Sequence, residues 1–202
     1  VSDRHGDVTK WMPRILHRNG RTYWASGSGG LFEIRDDAWL PAAAVYGCWV
    51  VPDEKDGWQW YHQARDRRER KGTWSDLNGD GRRQADEWSV TDKPAYPLGE
   101  AGPQQGWASF WSEDFTLYMH DWSDGAAAGI WRLRPQWHSG APVYRWEEAH
   151  HAGLNRVTGI GRGSHGCRSA FAAHGAVYGF NGAYNDIRVP GVGHGADWRF
   201  VQ

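Results

Sequence analysis

The chain has few of the residues and patterns that would assign it quickly. It has only two cysteines, Cys48 and Cys167, which allow one long-range disulfide or two free thiols. Acidic and basic side chains nearly cancel, 24 against 23, leaving a net charge of −1. A dedicated nucleic-acid binder would carry a clear basic excess, so that class is excluded. No run of about 18 apolar residues occurs, so no segment reads as a membrane-spanning helix. A Cys-x-x-Cys-His haem site, a Gly-x-Ser-x-Gly elbow and a phosphate-binding Walker loop are all missing, and no catalytic set announces itself. Aliphatic residues are scarce too. Leu, Ile, Val and Phe make up about 15% of the chain, a level that signals disorder only when net charge is high.

What replaces the aliphatics is aromatic. Fifteen Trp and eight Tyr are present, and each ring buries roughly 150–250 Å². The chain therefore has the means to fold around rings. Glycine, at 27 of 202 residues, is about twice its usual roughly 7% share, which favours tight turns and strands over long helices. Long helical bundles and coiled coils are excluded.

A hairpin pattern returns three times. Asn19 to Ser26 leads through a Gly-rich turn to Leu31-Phe32-Glu33-Ile34. Phe115 to His120 leads through Ser-Asp-Gly to Gly129-Ile130-Trp131-Arg132-Leu133. His174 to Phe180 leads through Gly-Ala-Tyr-Asn to Asp186-Ile187-Arg188-Val189. Alternating apolar residues on both sides of a small polar turn are what an antiparallel hairpin needs. Tyr23, Tyr118 and Tyr178 are spaced by 95 and 60 residues. With residues 53–92 set aside as an insertion, the period falls near 50–60, as in β-propellers and related arrays. The expected fold is all-β: a partial β-propeller of three to four blades across residues 1–202, with 15–51, 107–146 and 155–201 as successive units. Helical periodicity is weak. Its best candidate, Trp60 to Arg70, reads equally as a charged loop, and Thr91 to Gly106 reads as a linker.

One motif carries specific chemistry. Asp76-Leu77-Asn78-Gly79-Asp80-Gly81-Arg82-Arg83-Gln84-Ala85-Asp86-Glu87 fits the EF-hand loop at each ligand position. Calcium wants six to eight oxygens. Asp76, Asn78 and Asp80 would supply side-chain oxygens, Arg82 its backbone carbonyl, and Gln84 an oxygen directly or through water. Glu87 would bind with both carboxylate oxygens, and Gly81 permits the sharp turn. Position 8 of such loops is usually aliphatic and pairs with a second loop. Here it is Arg83, and the flanks lack long amphipathic helices. The loop is therefore expected to be single and structural, with Trp74 and Trp88 packing its ends into the body. An Asp/Asn/Gly turn without metal is the alternative.

A hairpin repeat of this length, interrupted by such a loop ending in Asp-Glu-Trp, resembles secreted bacterial β-propeller proteins with an embedded EF-hand-type insertion. The phrases Gly129 to Leu133 followed by Ala141-Pro142-Val143-Tyr144-Arg145-Trp146, and Pro190 to Trp198, add to the likeness. The resemblance implies a propeller fold and an extracytoplasmic setting, where millimolar calcium fills weak sites. It does not imply one function, because propellers host many. Three or four blades do not close a ring, and open strand edges need covering. The expected completion is by further blades of a longer polypeptide or by another protein chain. Val1 opens directly on a polar stretch, as a cleaved precursor or an internal segment would.

The leading functional expectation is a calcium-stabilised module for binding or assembly, with Trp58-Gln59-Trp60-Tyr61 and Trp107-Ala108-Ser109-Phe110-Trp111 as aromatic clusters to watch. Core packing between blades is the alternative for each ring. A second expectation is a propeller enzyme, a hydrolase, lyase or oxidoreductase, using His165, His174 and His194 near a central channel with Cys167 close by. Backbone support by these His-Gly pairs is their structural alternative, and His150-His151 is expected to face solvent. A third expectation is carbohydrate binding, since Trp faces stack on sugar rings. Cys48 and Cys167 fall at unlike positions of the repeat, which argues against their pairing.

Overall fold

A computed structural model describes residues 14–27, 29–55, 57–60, 70–94, 110–120, 129–153, 167–173, 176–181 and 196–201. These residues build an all-β, antiparallel protein without α-helix. The largest sheet contains β1 (Arg14–Arg18), β2 (Arg21–Ala25), β3 (Gly30–Arg35), β4 (Ala38–Asp53), β5 (Gly57–Trp60), β6 (Arg70–Ser75) and β7 (Trp88–Pro94). Its order is β1-β2-β3-β4-β6-β7, with β5 also paired to β4. The turns explain its tight meander. Asn19-Gly20 and Asp36-Asp37 both lie at positive φ, as two-residue hairpins of matching twist require.

A second sheet runs β13-β10-β9-β8, from β8 (Phe110–Trp111), β9 (Leu117–His120), β10 (Gly129–Leu133) and β13 (His150–Gly153). Between β10 and β13 stands a small hairpin, β11 (Gln136–His138) and β12 (Ala141–Val143), turned by Ser139-Gly140 at positive φ. The third expected unit contributes β14 (Cys167–Ala173), β15 (Ala176–Asn181) and β16 (Ala196–Val201), in that order.

The first two expected hairpins form, β2 with β3 and β9 with β10. In the third, β15 pairs with β14 and β16; the expected strand at Asp186–Val189 lies outside the described residues. The Ala141 strand pairs with β11, and β10 takes β13 as its other partner. One reading needs correction: the described part of residues 53–92 does not stand off as an insertion, because β6 pairs with β4 and β7 completes that sheet's edge. Trp60 and Arg70 lie in strands, and the intervening helix candidate falls outside the described residues. Among the described residues no closed barrel or propeller ring forms, and no helix is long and apolar enough to cross a membrane.

The core lies between the first two sheets. Leu16, Tyr23, Ala25, Leu31, Ala43 and Val45 from the large sheet meet Trp111, Phe115, Leu117, Met119, Leu133, Tyr144 and Trp146. Rings meet edge to face, the arrangement their quadrupoles favour: Tyr23 and Phe115 at 5.2 Å and 89°, Trp111 and Tyr144 at 5.7 Å and 77°. Their polar tips are satisfied by backbone carbonyls. Trp111 Nε1 donates to Ser26 O at 2.6 Å, and Trp146 Nε1 to Tyr46 O at 3.1 Å. The Tyr144 hydroxyl, held protonated because burial pushes its pKa far up, donates to Phe115 O at 2.8 Å. Each such bond ties distant segments, so a ring-based core also supplies cross-links that aliphatics could not.

Gly29 marks the closest backbone approach. Its φ is +93°, and a Cβ there would stand 2.5 Å from Val45 O on β4. Gly29→Ala should destabilise by more than about 1 kcal/mol, because strained backbone and a clash with main chain act together. Gly20, also at positive φ but with open space around it, is the control. Urea unfolding should show a clearly larger loss for Gly29→Ala than for Gly20→Ala.

Candidate metal centre

The twelve-residue loop is the connection of a hairpin. Trp74 of β6 faces Trp88 of β7 in register, and Asp76 to Glu87 fill the gap between them. Asp76 is buried, and its N–H donates to Ala42 O on β4, which fixes where the loop begins. One Asp76 oxygen accepts from Gly79 N at 2.8 Å and Asp80 N at 3.1 Å; the other accepts from Gly81 N at 2.8 Å. This cradle requires Gly79 and Gly81 at φ +81° and +70°, which glycine reaches at little cost. Asn78 Oδ1 accepts from Asp80 N, and Asp80 Oδ1 from Arg82 N. Gln84 links Asn78 and Asp80 through its side-chain amide.

Glu87 ends the loop in a 3-10 turn, Ala85–Glu87, and is 5% exposed. Its Oε1 accepts from Leu77 N at 2.9 Å, its Oε2 from Trp74 Nε1 at 3.0 Å. Burial pushes its pKa up, and nearby Asp76 adds to the effect. Trp74 is fully buried, and Trp88 is half-buried and stacks on Tyr46 at 5.8 Å. Both rings pack the loop ends into the body as expected. Arg83, at position 8, donates to the Tyr46 hydroxyl at 3.0 Å and lies over both indoles at 5.9 and 5.7 Å.

The expected ligand positions, Asp76, Asn78, Asp80, Arg82, Gln84 and Glu87, thus share one loop. Their carboxylates hold N–H groups, and among the described residues no three His, Cys, Asp or Glu side chains close into a metal cluster. The oxygens of Asn78 and Gln84 and the carbonyl of Arg82 complete the donor set.

The remaining expectations divide by location. His165, His174 and His194 lie outside the described residues, as do Tyr61 and Trp107. Cys48 stands on β4 and Cys167 on β14, in separate sheets, with side chains outside the description. His150 is exposed, as expected. Trp111 is core rather than surface. Among the described residues the exposed ring is Trp39, 46% accessible and stacked on Trp24 at 5.0 Å.

One charged array was missed. Glu33 points inward from β3 and is buried; Arg35 Nη2 holds it at 2.7 Å and Arg21 Nη1 at 3.4 Å. Arg35 Nη1 also reaches Gly79 O in the loop, at 3.5 Å. The signal was available: strand alternation from Leu31 sets a carboxylate at an inward position, where a charge needs partners. A cavity of about 250 Å³ separates this array from the loop, bounded also by Tyr23 and the β11–β12 turn.

The Arg35 hydrogen bond holds the Glu33 pKa below the ordinary glutamate range. A depressed folded-state pKa contributes stability above the unfolded value and loses it as pH falls through the folded one. Acid unfolding of the native chain should therefore steepen below the ordinary glutamate range. Glu33→Gln should remove that component in urea titrations at successive pH values; identical pH profiles would refute it.

The described residues define an antiparallel all-β protein in which a carboxylate-rich twelve-residue loop closes a hairpin of the main sheet. Comparison with protein-family models, curated proteins and solved structures finds no match to any of them.

Proposed function

We propose that the chain is a calcium-stabilised, extracytoplasmic β-propeller module that serves binding or assembly within a larger protein or complex. The observation that carries the reading is the Asp76–Glu87 loop: an all-oxygen donor set, hinged on two left-handed glycines, with its last carboxylate buried between Trp74 and the Leu77 amide. An oxygen-only set suits a hard cation. An ion there would bind β6 to β7 and, through Asp76 and Ala42, to β4. Its stabilisation would thus act on the β4-β6-β7 side of the large sheet.

Support for a propeller is the recurrence of antiparallel units. The β1-to-β4 meander and the β8-β9-β10-β13 sheet each have the four strands of a blade. Further blades or a partner chain would cover open edges, and the Trp39–Trp24 pair offers an aromatic surface for contact. A single loop of this kind fits the roughly 10⁻⁴–10⁻³ M affinities of extracellular modules, which explains the extracytoplasmic assignment. Calorimetric titration of chelator-treated protein with calcium chloride should give one ion per chain and a raised melting temperature. No binding at several millimolar calcium would overturn the reading.

A further inference from the structure

The cavity beside the loop is built from chemistry the calcium motif does not account for. At about 250 Å³ it is smaller than the roughly 300–1,000 Å³ sites of drug-sized ligands. Its wall is mostly charged and polar: Arg21, Arg35, Glu33 and Ser139 on one side, Asp76 to Gly79 on the other. Glu33 Oε2 takes both guanidinium contacts, and Oε1 accepts no hydrogen bond from the described residues. Arg21 is 46% exposed, touches Glu33 only at 3.4 Å and also bonds the Tyr23 hydroxyl, which leaves the rest of its five N–H donors for a ligand. The Gly140 backbone covers its fork, close enough that a Cβ there would lie 3.6 Å from Nη1 and Nη2. The Arg21 and Arg35 forks match a carboxylate, while the open Glu33 oxygen wants a hydroxyl donor.

Charge adds a condition. The loop's four carboxylates, Asp76, Asp80, Asp86 and Glu87, oppose any anion entering beside Asp76. Calcium would offset two of those charges, so ion and anion should each favour the other's binding by the same factor.

We propose that this cavity is a subsite for a small hydroxylated carboxylate of the sugar-acid class, bound together with calcium. Its carboxylate engages Arg21 and Arg35, and a hydroxyl donates to Glu33. The coupling rests on the calcium reading above. D-galacturonate is the probe and neutral D-galactose the comparator, titrated calorimetrically into protein dialysed free of calcium and into calcium-loaded protein. Galacturonate should bind the loaded protein at least about tenfold tighter than galactose does, and at least about tenfold tighter than it binds the calcium-free form. Arg21→Met, at a partly exposed strand end, should weaken galacturonate about tenfold, while the rise in melting temperature that calcium gives stays that of the native chain.

Calcium binding without galacturonate binding overturns the subsite alone. Equal affinity for galactose overturns the anionic class, and an indifferent Arg21→Met overturns the assigned residues. Galacturonate binding that ignores calcium overturns the coupling. Absence of calcium binding defeats the calcium reading itself, a failure the first titration exposes separately.

Discussion

If the loop holds calcium, Glu87→Ala is expected to abolish its binding and, at calcium about a hundred times Kd, to lower the melting temperature by roughly 5–10 °C. The size follows from linkage. A ligand at a hundred times its Kd stabilises the folded state by about 2.7 kcal/mol, and a protein of this length shifts by about 2–4 °C per kcal/mol. Glu87 is the residue to remove because position 12 alone gives two oxygens to the ion. Without calcium the variant should differ less from the native chain. Alanine forfeits the bonds from Leu77 N and Trp74 Nε1 but also relieves a buried carboxylate whose charge burial disfavours. The decisive quantity is the calcium-induced shift, measured by calorimetric melting of both proteins with and without the ion. A variant that keeps stoichiometric calcium refutes the assignment.

Trp111→Ala is expected to bring the fold close to collapse. The side chain is fully buried between the two main sheets, and Trp→Ala truncations in cores cost about 3–5 kcal/mol. It also removes the indole bond to Ser26 O, which keeps the Gly29 N–H, a further loss of about 0.5–1.5 kcal/mol. Domains of ordinary stability hold only about 5–15 kcal/mol in all. Trp111→Phe separates the two contributions, since it keeps much of the ring and drops the Nε1–H. Urea denaturation should rank native above Trp111→Phe above Trp111→Ala. A loss under about 1 kcal/mol for the alanine variant would show that the two sheets do not share this core.

Local chemistry made part of this fold legible. Alternation around Tyr23 and Tyr118 announced the strands there, while the Asn19-Gly20 turn, whose residues both tolerate positive φ, stands where the sequence reading starts a strand. The Asp76–Glu87 loop was legible because its geometry is written within twelve consecutive residues. What escaped was non-local. The 16-residue β4 reads as one apolar run, and nothing in it reveals that successive stretches pair with β3, β6 and β5. The 95-residue spacing from Tyr23 to Tyr118 made 53–92 look separate, whereas pairing with β4 decides where β6 goes and β7 follows it. For Trp111 the sequence leaves contact surface and core both open, because periodicity tells which residues share a face and not what covers it; the structure takes the core. Glu33 was passed over for the same reason: its arginines approach from β2, from two residues ahead on its own strand, and across to the loop.

Arg83 sets how sharply the molecule would respond to calcium. In paired loops, position 8 joins two sites, so filling one helps fill the other and occupancy rises steeply over a narrow concentration range. Here that position is spent on Tyr46 and the two indoles of the same chain. Occupancy of a lone site follows a simple hyperbola. Such a curve makes a poor trigger for transient signals and a good fastener in surroundings whose calcium scarcely varies.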